Sequence, residues 1–270
     1  MAALDNSITL DDTMLRYRDL PGNEPAVVFL HGAGADHVMF DHQISAIAAT
    51  GRRVIALDLR GHGRSRPSGS TLNAALLCAD VLALTANLTL DKPVLAGHSL
   101  GGNLGQALVR QHPERFSGLV VMGSTWNTGP LTAIERLLLR LAGPSLALIP
   151  ARRLPRIMAR ASATTEFAKI DAERAFGQLT KAEFLAAWRA TVEFVAPNPS
   201  YRTPVPLLLI RGELDRTGNI AAAMPQWAAA EGVAEHVVPG AGHLVTQDSP
   251  EVVTETLLDY LEKHWPLPST

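Results

Sequence analysis

The sequence predicts an α/β domain: a mostly parallel sheet with helices on both faces, interrupted by one inserted block of helices. Three observations carry this expectation. Short apolar runs rich in β-branched residues, bounded by Gly, Pro or Asp, alternate with segments of helical periodicity. These runs are almost continuously hydrophobic, as strands covered on both faces are. About 80 residues between two of the runs contain no convincing strand. The 270 residues, 47% hydrophobic and 19% charged, suit one large globular domain with an inserted piece.

Taken in order, "SITL" and "MLRYRDL" near the N-terminus predict an antiparallel pair joined at "DDT", on the edge of the sheet. Strands of the parallel part are expected at 26–31 ("AVVFLH"), 52–58, 92–97, 118–124, 205–212 and 235–239. Helical patterns cover 71–87, 99–112, 220–230 and 250–264. The last opens with "SPE", a serine at the N-cap and proline at the first helical position. In the insertion, "TKAE" (180–183) is a capping box, with Phe184, Trp188, Val192 and Val195 following at helical spacing. The expected division is a core of residues 1–125 and 204–270 carrying a helical cap or lid of residues 126–203.

Several function classes are disfavoured. A net charge of −2 exerts no global pull on nucleic acid or an anionic membrane. No uncharged apolar run is long enough to span a bilayer. The most apolar stretch, 131–150, is broken by Glu135, Arg136, Arg140 and a Gly-Pro pair, and reads as buried or partner-facing helices. The first residues lack a basic segment followed by an apolar one, so no signal peptide is expected. Cys78 is the only cysteine; it permits no intrachain disulfide, fits a reducing compartment and reads as a small core residue. Cytoplasmic localisation is therefore expected. There is no metal-ligand spacing and no dinucleotide or P-loop fingerprint, so neither metal nor cofactor is expected.

The chemistry centres on "VLAGHSLGG" (94–102), where a strand runs into Gly97, His98, Ser99, Leu100 and Gly101 and then a helix. This is G-x-S-x-G in its meaningful context. Such a sharp bend leaves no room for a Cβ two residues to either side of the serine. The following helix directs free N–H groups and its positive dipole end to the same spot, where an oxyanion would be stabilised. A serine needs a base, and the base an orienting acid. Asp215 follows the strand at 205–212, with Glu213 as a weaker rival. Three of nine histidines follow Asp215: His236 lies in a strand pattern, His264 in the last helix, and His243 in the glycine-rich "PGAGH". The order Ser99, Asp215, His243 is that of the motif class. "FLHGAG" (29–34) supplies a second backbone donor, the Ala33 amide, beside that of Leu100.

Together "HGAG", "DLRGHGRS", "GHSLGG", "RGELD" and "GAGH" resemble, in order and spacing, the α/β-hydrolase superfamily over residues 20 to 265. The resemblance implies the α/β-hydrolase fold, with Ser99 as nucleophile, His243 as base, Asp215 as acid, and Ala33 and Leu100 as oxyanion donors. It also implies that Asp58, Arg60 and His62 are structural. A family variant takes its acid from the loop after the 118–124 strand, which here reads "TWNTG" and holds none.

Weaker signals remain open. His31, Gly32, Trp126 and Trp188 are candidate pocket residues, Trp188 serving equally well as core. His98 reads as packing beside the elbow. The insertion is basic, with eleven Lys plus Arg against six Asp plus Glu. Arg152, Arg153, Arg156 and Arg160 form a row that reads first as a solvated face and second as a carboxylate partner. The expected reaction is hydrolysis of a small carboxylic ester or lactone. Hydrolysis of a C–C bond or an amide, acyl transfer, and a ligand sensor that retains the triad are the alternatives. A homodimer is left undecided.

Overall fold

The structure, a computed structural model, describes residues 4–267. Eight strands form one sheet: β1 (Asn6–Leu10), β2 (Thr13–Leu20), β3 (Asn23–Leu30), β4 (Arg52–Leu57), β5 (Val94–His98), β6 (Gly118–Met122), β7 (Leu207–Gly212) and β8 (Glu235–Val238), in the order β1-β2-β4-β3-β5-β6-β7-β8. β2 is antiparallel to both β1 and β4, and all other pairings are parallel. The predicted edge pair and six parallel strands are all present, with shifted ends. β6 stops at Met122, two residues early, because Gly123 turns the chain at φ +52°.

Among the described residues ten α-helices accompany the sheet: α1 (Asp41–Ala49), α2 (Ala74–Asn87), α3 (Leu100–Gln111), α4 (Ala133–Ala147), α5 (Leu154–Ser162), α6 (Glu166–Phe176), α7 (Lys181–Glu193), α8 (Ile220–Glu231), the single turn α9 (Val245–Asp248) and α10 (Pro250–His264). The sequence reading missed α1, whose N-cap is Phe40, with no side-chain capping bond. α2 starts at Ala74 because the Asn73 side chain accepts the Leu76 N–H. Ser249 does sit at the N-cap of α10, but its side chain makes no capping bond.

Alternation along the strands builds two cores. Val27, Phe29, Val54, Val120 and Ile210 pack against α1 and α10. Val28, Leu30, Ile55, Leu95, Val121 and Leu209 pack against α2, α3 and α8. Cys78 lies in the second core, and burial pushes its thiol up to about 11. This two-sided burial is why the strands read as unbroken apolar runs.

Between β6 and β7 the chain forms only helices, α4 to α7. α7 begins at the capping box of Thr180 and Glu183, and α4 at a second, Thr132 and Glu135, which the T-x-x-E pattern also encodes. The stretch 131–150 is not wholly buried: Ile134, Leu137, Leu141 and Leu148 are exposed, and α4 packs within this chain against α7. The helices are bolted to the sheet by Asp36, which accepts from Arg174 at 2.7 and 2.9 Å and from Gln178 at 2.8 Å. Arg66 adds a bond to the Gln178 carbonyl and an ion pair with Glu183 at 3.1 Å. Burial works to raise Asp36, but the guanidinium outweighs it and holds the carboxyl at about 2. Arg174→Ala leaves the buried Asp36 charge with only Gln178 as a side-chain donor and is expected to destabilise the protein by about 2 kcal/mol. Urea titration, with limited proteolysis between 150 and 195, measures the loss.

Candidate active site

The sheet order reverses between β3 and β5, so the loops that follow these neighbouring strands face each other at their C-terminal ends, where ligands bind in open α/β sheets. At the end of β5 the serine stands in a forced bend. Ser99 has φ +51° and ψ −114°, a strained region for any residue with a side chain. Close approach imposes it. A Cβ on Gly97 would strike the Gly101 carbonyl, and one on Gly101 would strike the Leu30 carbonyl. Leu100 begins α3, so its N–H has no helical acceptor and remains free for a ligand oxygen. Its side chain is buried in the core.

His243 and Asp215 meet from the loops after β8 and β7. His243 Nδ1 lies 2.9 Å from Asp215 Oδ2, and the Thr217 N–H donates to Oδ1 at 2.8 Å. A carboxylate can only accept, so Nδ1 carries the proton and Nε2 keeps its lone pair. Burial works to raise Asp215, but the imidazole and the Thr217 bonds outweigh it and hold the carboxyl at about 2. Glu213, the rival acid, turns away and accepts the Gly240 N–H at 2.9 Å. Among the described residues no hydrogen bond joins the Ser99 hydroxyl to the imidazole. Catalytic bonds of this type commonly tighten only around the substrate.

Ser99 and His243 line one cavity of about 430 Å³. Gly32, Ala33 and His98 form its floor, and Met158, Phe176, Phe184 and Trp188 its apolar wall. Two larger grooves, of about 700 and 730 Å³, lie elsewhere and contain neither Ser99 nor His243. Of the candidate pocket residues, Gly32 and Trp188 line the cavity; His31 and Trp126 do not. His31 is fully buried: it contacts the Gly32 carbonyl through Nδ1 at 2.8 Å and accepts the Leu59 N–H at Nε2, 2.9 Å. It therefore pins the loop instead of facing a ligand. Trp126 is drawn aside by Trp227, with near-parallel rings 6.3 Å apart, and lines a separate cavity of about 210 Å³. Asp58, Arg60 and His62 are buried. Asp58 accepts the His37 and Arg64 N–H groups, and Arg60 forms a two-pronged pair with Asp80. Arg152, Arg153, Arg156 and Arg160 are exposed, and none lines the cavity.

Sequence reasoning undervalued His98 and missed Asp248 and Arg216. His98 does more than pack: its Nε2–H donates to the His243 carbonyl at 2.8 Å, tying the elbow to the His243 loop across 145 positions. Asp248 accepts the N–H groups of Gly242, Thr164 and Thr165, joining the His243 loop to the start of α6. Arg216 lines the cavity, and only its position beside Asp215 signalled it. Among the described residues no cluster of three His, Cys, Asp or Glu side chains is arranged to hold a metal ion.

Comparison with known proteins agrees with this architecture. The model of the Alpha/beta hydrolase family matches residues 27–256, and the chain belongs to that family. It is 28% identical to mouse sn-1-specific diacylglycerol lipase ABHD11, over 92% of this chain and 85% of the relative. It is 26% identical to 2-(acetamidomethylene)succinate hydrolase of Mesorhizobium japonicum, over 89% of each. In fold it is similar to the enol-lactonase of Burkholderia xenovorans LB400, with TM-score 0.78, 22% identity and coverage of 95% and 99% of the two chains. A thermophilic esterase from Thermogutta terrifontis matches with TM-score 0.76, 23% identity and coverage of 93% and 94%. The chain is thus an enzyme of the hydrolase class. Among its described residues no helix is long and apolar enough to cross a membrane.

The buried histidines give the site an acid limit. Burial, reinforced by the neighbouring imidazoles, pushes His62 and His98 down to about 3. An exposed imidazole in the unfolded chain binds a proton near pH 6.5. Between these values the unfolded chain holds more protons, so stability falls as the pH falls. Each histidine is expected to contribute a slope of about 1 kcal/mol per pH unit over that window. Urea midpoints at pH 7, 6 and 5 should decline together with it, and a flat series would contradict neutral burial.

Proposed function

We propose that this chain hydrolyses small carboxylic esters or lactones through an acyl-enzyme on Ser99. The observation that carries the reading is the His243–Asp215 pair: the carboxylate fixes the imidazole in the tautomer of a general base, in the cavity that Ser99 also lines. Ser99 Oγ attacks the substrate carbonyl while His243 Nε2 takes its proton. The oxyanion is held by the Leu100 and Ala33 N–H groups, on the dipole end of α3. His243 returns the proton to the leaving alcohol oxygen as the C–O bond breaks. Water, deprotonated by the same nitrogen, then releases the acid and restores Ser99. Asp215 stays ionised and stabilises the imidazolium. The helices of residues 126–203 act as a cap that supplies the apolar wall. The esterase and enol-lactonase among the similar structures share the fold on which this chemistry is proposed.

Ser99→Ala is expected to lower the turnover of phenyl acetate and of simple lactones about 10,000-fold or more, and to abolish labelling by a fluorophosphonate. Near wild-type turnover in that variant would overturn the assignment. Inertness of the wild type toward every ester and lactone, with cleavage of a dione, would move it to C–C bond hydrolysis.

A further inference from the structure

We infer that the cavity contains a carboxylate-binding subsite at Arg216, and that the preferred substrates bear an anionic carboxylate on the leaving-group side of the scissile bond. The inference rests on the reading that Ser99 cleaves esters, and it names their class.

Arg216 is the only Lys or Arg among the described residues that line the Ser99 cavity. Arg216 is solvent-exposed while it lines the cavity, and it differs from several arginines around the sheet that are neutralised: Arg53 by Asp19 and Glu24, Arg60 by Asp80, Arg174 by Asp36, Arg211 by Glu235. Arg216 has no acidic side chain within ion-pair distance among the described residues. The nearest carboxylate along the chain, Asp215, is buried and committed to His243 and Thr217. The other walls are mostly apolar, with Met158, Phe176, Phe184 and Trp188. A guanidinium left unpaired beside such walls attracts an anion, and its planar fork matches a carboxylate. One guanidinium balances one charge, which fits a carboxylate better than a phosphate dianion.

The position of Arg216 sets which half of the substrate carries the charge. His243 must protonate the departing oxygen, so that oxygen lies beside the imidazole. The group attached to it extends past the imidazole toward the adjoining loop after β7, which carries Asp215 and where Arg216, Thr217 and Gly218 line the cavity. Arg156 and Arg160 are excluded from this role because their helix turns Met158, Ala161 and Ser162 to the cavity instead.

The test compares 4-acetoxybenzoate with its neutral isostere 4-acetoxybenzamide, and with monophenyl succinate, whose charge is on the acyl side. In wild type, kcat/KM should favour 4-acetoxybenzoate over the amide. Arg216→Gln should lower that ratio about tenfold, mostly through KM, and Arg216→Lys should restore part of it. A ratio unchanged by Arg216→Gln, or a loss confined to monophenyl succinate, overturns the inference while ester turnover upholds the reading beneath it. In parallel, calorimetry of Ser99→Ala with 4-hydroxybenzoate and 4-hydroxybenzamide reads the subsite without turnover. A preference for the benzoate that Arg216→Gln removes supports the subsite even if wild type cleaves none of the esters. Equal affinities refute it.

Discussion

The contact on which this molecule turns is the crossing of α3 over the ends of β3 and β5 at glycine distance. Gly101 lies against the Leu30 carbonyl, and Gly97 against the carbonyl of Gly101 itself. No side chain fits at either place, so the chain can reverse within a few residues. The cost is local: Ser99 is held at φ +51°, worth about 1–3 kcal/mol of strain for a residue of this kind. Packing of Leu100, Leu104 and Leu108 into the second core offsets it. The strain lifts one hydroxyl above the sheet and brings the start of a helix beneath it.

Everything else at the site is fixed relative to that bend by buried polar bonds. His98 is part of the elbow and holds the His243 carbonyl; His243 in turn holds Asp215. On the other side His31 fastens the Gly32 loop to Leu59, beside Asp58 and its N–H donors. Each of these groups would be expensive to bury without its partner. The network therefore specifies one arrangement of four loops, where apolar packing alone would tolerate several.

The division between what the sequence revealed and what it concealed follows the range of the interactions. The strands were legible because burial on two faces writes itself as a run of apolar residues, and the elbow because its constraint is local. Residue type and order along the chain named Ser99, Asp215 and His243; the structure bonds the last two to each other and sets Ser99 and His243 on one cavity. Contacts between distant residues left no periodic trace. Nothing near Trp126 announces Trp227, whose ring draws it off the cavity. Nothing near His31 announces that both its nitrogens are occupied by backbone. α1 was hidden because its N-terminus lacks a side-chain cap, the usual signal of a start. Arg216 carries no sequence signal of its own, and only the cavity distinguishes it from the exposed row of arginines at 152–160.

Asp248 gives the architecture a particular evolutionary grain. One carboxylate accepts from Gly242, next to His243, and from Thr164 and Thr165, at the entrance to α6. The Leu244 N–H also donates to Ser162, at the end of α5. A mutation that reshapes the α5–α6 corner is thus felt by the loop that carries His243, so on the proposed function the cavity wall and the imidazole shift together. The exposed side chains Ile134, Leu137 and Leu141 of α4 lie at the surface instead, where substitutions leave that corner undisturbed.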